Sequence, residues 1–463
     1  MCRPPPEESV RAVLDRTLLP HISVEKVQGI FSLRLPRIYD VTTSNGRALQ
    51  LVLEPPAMLR LLRFERPMVE AETVAVRWIR ETVEEEEADV TSAASGARKG
   101  ALLTKTGSHD DPEPLEPDLL SLVPTLVQSS PYPTNELKSA YAFFESVRGT
   151  PLSLLPSGPL SPPDRRHVDK QTGRLLRRLA RLTSPTGKFG PVAAAVAARS
   201  APDGYQHLGV VTDTWAVAFQ SVLEGILRDG EDMGVTIPYA AVRRNFRRFS
   251  YALDSVAVPR LVVVNGAEEG NVLVHDPGSR KGVPDELESA TKDDTSDTAG
   301  AAADGSGEVK APGVSSLEVS GLLDWSNCVF GDPLLASVFA DGASDGFLEG
   351  FNGTDAVAET STLGLRISRT IVEGTDTAGV RLLLYQVYHA VICVVKEFYR
   401  PRVDSSRREL EARKRLNEVL AKLGEVHDDP KRSHQRPSGE MSPAKRIKPN
   451  QEGPVGRMGV TLQ

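Results

Sequence analysis

Two short apolar runs constrain this chain more than any other feature. One is GNVLV, residues 270–274; the other is GLLDW, residues 321–325, which continues through SNCVFGDP to Pro333. Each has the length of a strand and falls short of a helix. The first carries Asn271 ahead of its apolar residues, and the second ends in Asp324. Paired as antiparallel neighbours, the two runs bring that Asn and that Asp to one edge of a hairpin. Both offer oxygens to a hard cation such as Mg²⁺, which takes one or two protein ligands plus phosphate oxygens. Read singly, Asn271 is a turn residue and Asp324 a strand-end cap; in register they make a site.

The rest of the chain divides by pattern. Residues 24–83 read as strands and then a helix. Strand-like runs at 37–42 and 48–53 flank Ser44-Asn45-Gly46, and Asn-Gly is a strong hairpin signal. Residues 59–83 are expected to be helical, with Val69, Val76 and Ile79 at helical spacing. A further strand is expected over 140–147. From about 160 the pattern turns helical: 168–182 puts Leu175, Leu176, Leu179 and Leu182 on one face. Helices are also expected over 215–227 and 237–253, short strands at 260–264, 271–274 and 317–323, and helix onward to about 423. Three segments bury too little apolar surface to offset chain entropy: about 84–117, about 277–314 and the tail from 425. These are expected to be disordered, the first two as surface insertions. The expected organisation is an N-terminal extension (1–23), an N-lobe (24–147), a C-lobe (148–424) and a tail (425–463). The fold class is α+β and two-lobed, with a small antiparallel β N-lobe and a larger, mainly helical C-lobe.

Charge narrows the partners. With 62 acidic against 55 basic residues the formal net charge is −7, which opposes nucleic acid as the main partner. Three cysteines, Cys2, Cys328 and Cys393, are too scattered for a disulfide framework or zinc site. The most apolar helical stretch, 382–395, is broken by Gln386 and His389 and falls short of the roughly 20 residues a bilayer needs. The first ten residues have no apolar core of a signal peptide. A reducing, cytoplasmic setting without membrane contact is expected. The basic run at 443–449 reads as a nuclear import signal, and otherwise as a chance cluster.

GNVLV, LLDW and FGDP resemble the aminoglycoside phosphotransferase and choline kinase-like family, its fungal members in particular. The runs FFESVRGTPL (143–152), Phe189-Gly190 and LYQVYHA (384–390) fit the same pattern. The resemblance spans roughly 24–83 and 119–423. It implies a protein-kinase-like fold and an ATP- and Mg²⁺-dependent O-phosphotransferase acting on a small hydroxylated molecule. It further implies that Asn271 and Asp324 hold Mg²⁺ on the ATP phosphates, that 143–152 is the hinge and the segment following it, and that Asp332 ties its segment to the catalytic loop. Asp229, Glu231 and Asp232 would attract a cationic substrate, or else form an acidic helix end.

The departures from that pattern bear on activity. The base Asp of a kinase loop lies five residues before the metal Asn; here that position is Gly266. A positioned base contributes about 10²–10⁴-fold. Glu268 and Glu269 are the candidate substitutes, and otherwise solvated loop charges. The strand expected to carry a phosphate-gripping Lys, 49–56, has none. Glu72 on the following helix is placed as that lysine's partner at the cofactor, or is an exposed helix charge. Arg34 and Arg37 are alternative cations. The sequence therefore predicts a phosphotransferase-like chain with impaired catalysis; the alternative is a pseudokinase that binds or scaffolds an unknown protein partner.

Overall fold

The computed structural model describes residues 5–15, 22–97, 118–199 except 157 and 159, 206–276, 317–353, 358–360 and 366–426. Most of the two segments expected to be insertions, nearly all of the tail, and the basic run at 443–449 lie outside these residues.

Helix α1 (Glu7–Leu14) precedes strands β1 (Val24–Gly29), β2 (Arg37–Thr43) and β3 (Ala48–Leu53). Helix α2 (Met68–Ala97) follows, then the short α3 (Leu119–Leu122), β4 (Leu126–Ser130) and β5 (Tyr141–Glu145). The five strands form one antiparallel sheet in the order β1-β2-β3-β5-β4. The β2–β3 turn is the Asn-Gly turn, with Gly46 at φ +77°. Alternation sets the two faces. Tyr39, Val41, Leu49, Leu51, Leu53, Tyr141 and Phe143 pack with Val10, Val13 and Leu14 of α1. The expected N-terminal extension thus holds a helix that covers the back of the sheet. Asp40 and Gln50, paired across β2 and β3, stand on the opposite face with Phe144.

Helix α2 differs from its expected bounds at both ends. It begins at Met68 instead of 59, because Pro67 inside the expected span lacks the N–H a helix interior needs and would clash with the carbonyl four residues back. It runs to Ala97, carrying Glu84 to Glu87 as helix rather than disorder. Glutamate is a good helix former, and no Gly or Pro interrupts before Gly96.

The chain then enters the C-lobe through β6 (Thr150–Pro151), α4 (Pro162–Leu179), β7 (Gly190–Pro191), α5 (Val192–Ala197), α6 (Trp215–Asp232) and α7 (Tyr239–Phe249). Strands β8 (Arg260–Val263), β9 (Val272–His275), β10 (Glu318–Leu322) and β11 (Cys328–Gly331) come next. After them stand α8 (Ser337–Asp341), α9 (Asp345–Asn352), the hairpin β12 (Ala358–Thr360) and β13 (Arg366–Ser368), α10 (Ala378–Tyr399) and α11 (Ser405–Glu425). The region expected to be helical after residue 323 therefore also contains three strands. The run Cys328-Val329-Phe330 is buried throughout and pairs with β7 and β8. Residues buried on every side carry no helical period to read.

Helix α10 is the core of the C-lobe. It is long and apolar enough by composition to cross a membrane, more so than the sequence pattern suggested, yet 72% of its apolar window is buried within the protein. Beside it lies a buried polar cluster. Asp332 accepts from Arg381 Nε at 2.7 Å, Tyr385 OH at 2.8 Å and Leu334 N at 3.1 Å. Trp215 Nε1 donates to Tyr385 OH at 2.7 Å. Every partner is satisfied, as a buried charge requires. Asp332 is structural as expected, but it ties its segment to α10 and not to the loop before β9.

Helices α4 and α9 cross at backbone distance. A Cβ on Gly173, Gly346 or Gly350 would run into the backbone oxygens of Phe347, Arg166 or Lys170. The 3₁₀ turn before α2 (Arg63–Glu65) is staked to the C-lobe twice. Arg400 forks onto both Glu65 oxygens at 2.7 Å, and Arg63 pairs with Asp229 and, at 2.7 Å, with Asp232. A five-stranded antiparallel sheet, one long helix after its third strand, a link out of β5 and a larger helical lobe together make a protein-kinase-like fold.

Candidate functional site

A cavity of about 420 Å³ lies where the free face of the N-lobe sheet meets β9 and β10. Ile38 and Phe144 line it from the sheet, and Leu273 and Leu322 from the C-lobe. Ser32, Arg34, Gln50, Glu72 and Trp325 supply its polar and far-end lining. Apolar walls with a few convergent polar groups are the usual make-up of a small-molecule site.

The two residues expected to hold a metal lie next to the cavity lining, at Gly270, Leu323 and Trp325, without themselves lining it. Strands β9 and β10 are antiparallel, with Val272 opposite Leu322, and Leu323 N donates to Asn271 O at 2.7 Å. Asn271 and Asp324 therefore sit at the same end of the pair. Asn271 uses its amide N–H on Asn265 O at 3.0 Å, so its carbonyl oxygen faces no such demand. Asp324 adopts φ +61°, rare for a residue with a side chain. Ser326 holds it there, donating N–H and Oγ–H to Oδ1. Held outliers of this kind cluster at functional sites. One carboxylate and one amide oxygen fit a Mg²⁺ that arrives with phosphates. They do not make a protein cage, and among the described residues no cluster of three or more His, Cys, Asp or Glu exists.

Glu72 is buried, not an exposed helix charge. It has a cation, though not a lysine and not from β3. Arg34 Nη2, from the β1–β2 connection, reaches both Glu72 oxygens at 2.7 and 2.6 Å. It also stands 3.8 Å from Asp324 Oδ1. The two paired side chains are each only 4% exposed. Burial pulls the Arg34 guanidinium down, but Glu72 and Asp324 outweigh it and hold the group above its ordinary value. Burial raises the Glu72 carboxyl, Arg34 opposes this, and Asp324 adds to the rise. Trp325 N donates to Glu72 at 3.3 Å and closes the cluster. On β3 the residues lining the cleft are Ala48 and Gln50. Arg37 is occupied elsewhere, with Nε on Glu54 O at 2.8 Å.

The loop before β9 has no side chain at its fifth position ahead of Asn271. A Cβ on Gly266 would sit 3.0 Å from Leu176 Cδ2 and 3.2 Å from Val263 Cβ. Position 266 thus points into the C-lobe, not toward the cleft. Glu269 pairs with Arg165, and its carbonyl accepts from Ser153 N at 3.0 Å. Glu268 and Glu269 line a separate hollow of about 240 Å³ with Arg165 and Asp169; neither lines the cleft. Burial pushes the Glu268 carboxyl up, Lys396 opposing and Asp324 adding. Glu268 thus stands within the field of Asp324 while opening onto the separate hollow.

Other expected features are accounted for by packing. Asp229 is fully buried and receives Arg63 N at 2.9 Å; Asp232 pairs with the same arginine and Glu231 with Arg243 at 2.7 Å. That acidic group is matched by arginines and offers no open cation site. His275 lies 4.0 Å from Glu318 across β9 and β10. Burial, with Asp324 and Glu72 nearby, pushes the Cys328 thiol well up, so it is no nucleophile. A second cavity of about 520 Å³ is lined by Ala71, Val192, Leu208, Val217, Ser326 and Asn327 among others. It touches the segment directly after Asp324.

No protein-family model matches the chain, and no curated protein sequence matches it. Solved structures share its fold at a distance. A candidate fructosamine-3-kinase of Haemophilus somnus 129PT aligns over 89% of this chain and 97% of its own, at 11% identity and TM-score 0.47. A thermostable mutant of aminoglycoside phosphotransferase APH(4)-Ia, in complex with ADP and hygromycin B, aligns over 90% and 100% at 13% identity and TM-score 0.46. A candidate fructosamine-3-kinase of Thermobifida fusca YX-ER1 gives 14% identity, 89% and 99% coverage, and TM-score 0.46.

Proposed function

We propose that the cleft binds a nucleoside phosphate, with Mg²⁺ held between Asn271 and Asp324, and that phosphoryl transfer from it is impaired. The observation that carries this is the Arg34–Glu72–Asp324 cluster at the end of a cleft with apolar walls, beside a loop with no acid at position 266. The natural acceptor is a small hydroxylated molecule. The cavity lined by Ser326 and Asn327, two and three residues after Asp324, has the size for one. Without a base the acceptor hydroxyl would keep its proton, and the rate would fall by the 10²–10⁴-fold that a base supplies.

A second reading, a pseudokinase that scaffolds a protein partner, is favoured by one observation: the Gly266 position is packed against Leu176, so the loop is built without a base and has not merely lost one. Calorimetric titration with ATP, with and without Mg²⁺, separates the two. Mg²⁺-dependent binding with slow or absent ADP release toward small alcohols and amino alcohols supports the first. No binding at millimolar ATP supports the scaffold.

A further inference from the structure

We propose that Arg34 is the phosphate-holding cation of this cleft, delivered by the β1–β2 connection in place of a lysine on β3. The inference rests on the nucleotide reading and adds a residue to it. A guanidinium carries five N–H donors in a fixed fork. Both side-chain hydrogen bonds that Arg34 makes leave from one nitrogen, Nη2, and both go to Glu72. Its Nε–H is buried and meets no acceptor among the described residues. A buried donor without a partner is costly, and native chains rarely keep one without a reason. Arg34 itself lines the cavity of about 420 Å³, so an oxyanion there would stand beside its guanidinium.

The neighbouring residues leave no rival. Gln50 on β3 has no charge. Arg37 gives Nε to Glu54 O and Nη2 to Ser139 Oγ, at the far end of β3. The turn that carries Arg34 is itself fixed, with Arg34 N donating to Ser32 Oγ at 3.1 Å. Charge sets one further condition. Arg34 stands against Glu72 and Asp324, which leaves this end of the cleft one charge negative. An oligophosphate therefore needs a divalent cation at Asp324 and Asn271 as well as the arginine.

The test is calorimetry in excess Mg²⁺ with two ligands, ATP and adenosine. Arg34→Gln combined with Glu72→Gln removes both charges, keeps the local net charge, and leaves no buried ion alone. The wild type is expected to bind ATP at least tenfold more tightly than adenosine. The double variant should bind adenosine as the wild type does and lose the ATP advantage. Arg34→Lys should keep most of it. An unchanged ratio in the double variant overturns the role of Arg34. A second measurement needs no variant: inorganic tripolyphosphate with Mg²⁺ should displace ATP competitively, and no displacement counts against the proposal. If the wild type binds ATP and adenosine equally, the nucleoside cleft stands and Arg34 falls. If it binds neither, the nucleotide reading falls too.

Discussion

Gly266 decides what chemistry the loop before β9 can do. Its hydrogen faces Leu176 and Val263, so an acid introduced there would be driven into apolar side chains. Gly266→Asp should give no gain in phosphoryl transfer and should cost about 1–3 kcal/mol in overpacking, with more for burying a carboxyl. Turnover and thermal unfolding measured together check this; a variant of normal stability that turns over would show that the loop re-forms around an acid. Arg34 shows the opposite relation between residue and surroundings. The sequence offers it as one of many arginines, since nothing local marks it. Its meaning comes from Glu72, 38 positions away, and Asp324, almost three hundred further along the chain. That Asn271 and Asp324 meet at one end of a strand pair is legible because each sits at the end of its own apolar run.

Among the elements, those with clean periods were legible from sequence. Strand β3 and the start of α6 fall where alternation and helical spacing put them. Helix α2 was misjudged at both ends for separate reasons. A run of glutamates has the composition of disorder and also of good helix, and Pro67 outweighs the apolar spacing that favours an earlier start. Strand β11 was hidden because burial on all sides leaves no alternation. The α4–α9 crossing depends on a pattern visible only once the helices are paired: Gly173, Gly346 and Gly350 let two backbones touch. Gly350→Ala should destabilise by about 1–3 kcal/mol, because the obstacle is the carbonyl of Lys170 and not a side chain that can turn away. Gly225→Ala, in α6 with open space around it, should instead stabilise by about 0.5–1 kcal/mol. Urea midpoints of the two variants should move in opposite directions; movement in the same direction would count against the close crossing.

For the whole molecule, the pins before α2 decide how the lobes behave together. Glu65 and Arg400 form a two-pronged pair, with side chains 11% and 13% exposed, and Arg63 adds Asp229 and Asp232. Three tryptophans report on the parts: Trp78 on α2, Trp215 on α6 and Trp325 beside the cleft. Single-tryptophan versions should unfold in coincident transitions. Adding Arg400→Met should cost about 1.5–3 kcal/mol, the range for hydrogen bonds to a charged group, and the Trp78 signal should then be lost first. Coincident curves after that change would mean that the pins do not couple the lobes. A cleft whose upper half is fastened in this way gives up the swing by which many two-lobed proteins admit and then enclose a ligand. Its shape is set as the chain folds, so the ordering entropy is lost then and not at the moment of encounter. Association should accordingly show a small entropic penalty and little change in compactness, as expected of a preorganised receptor.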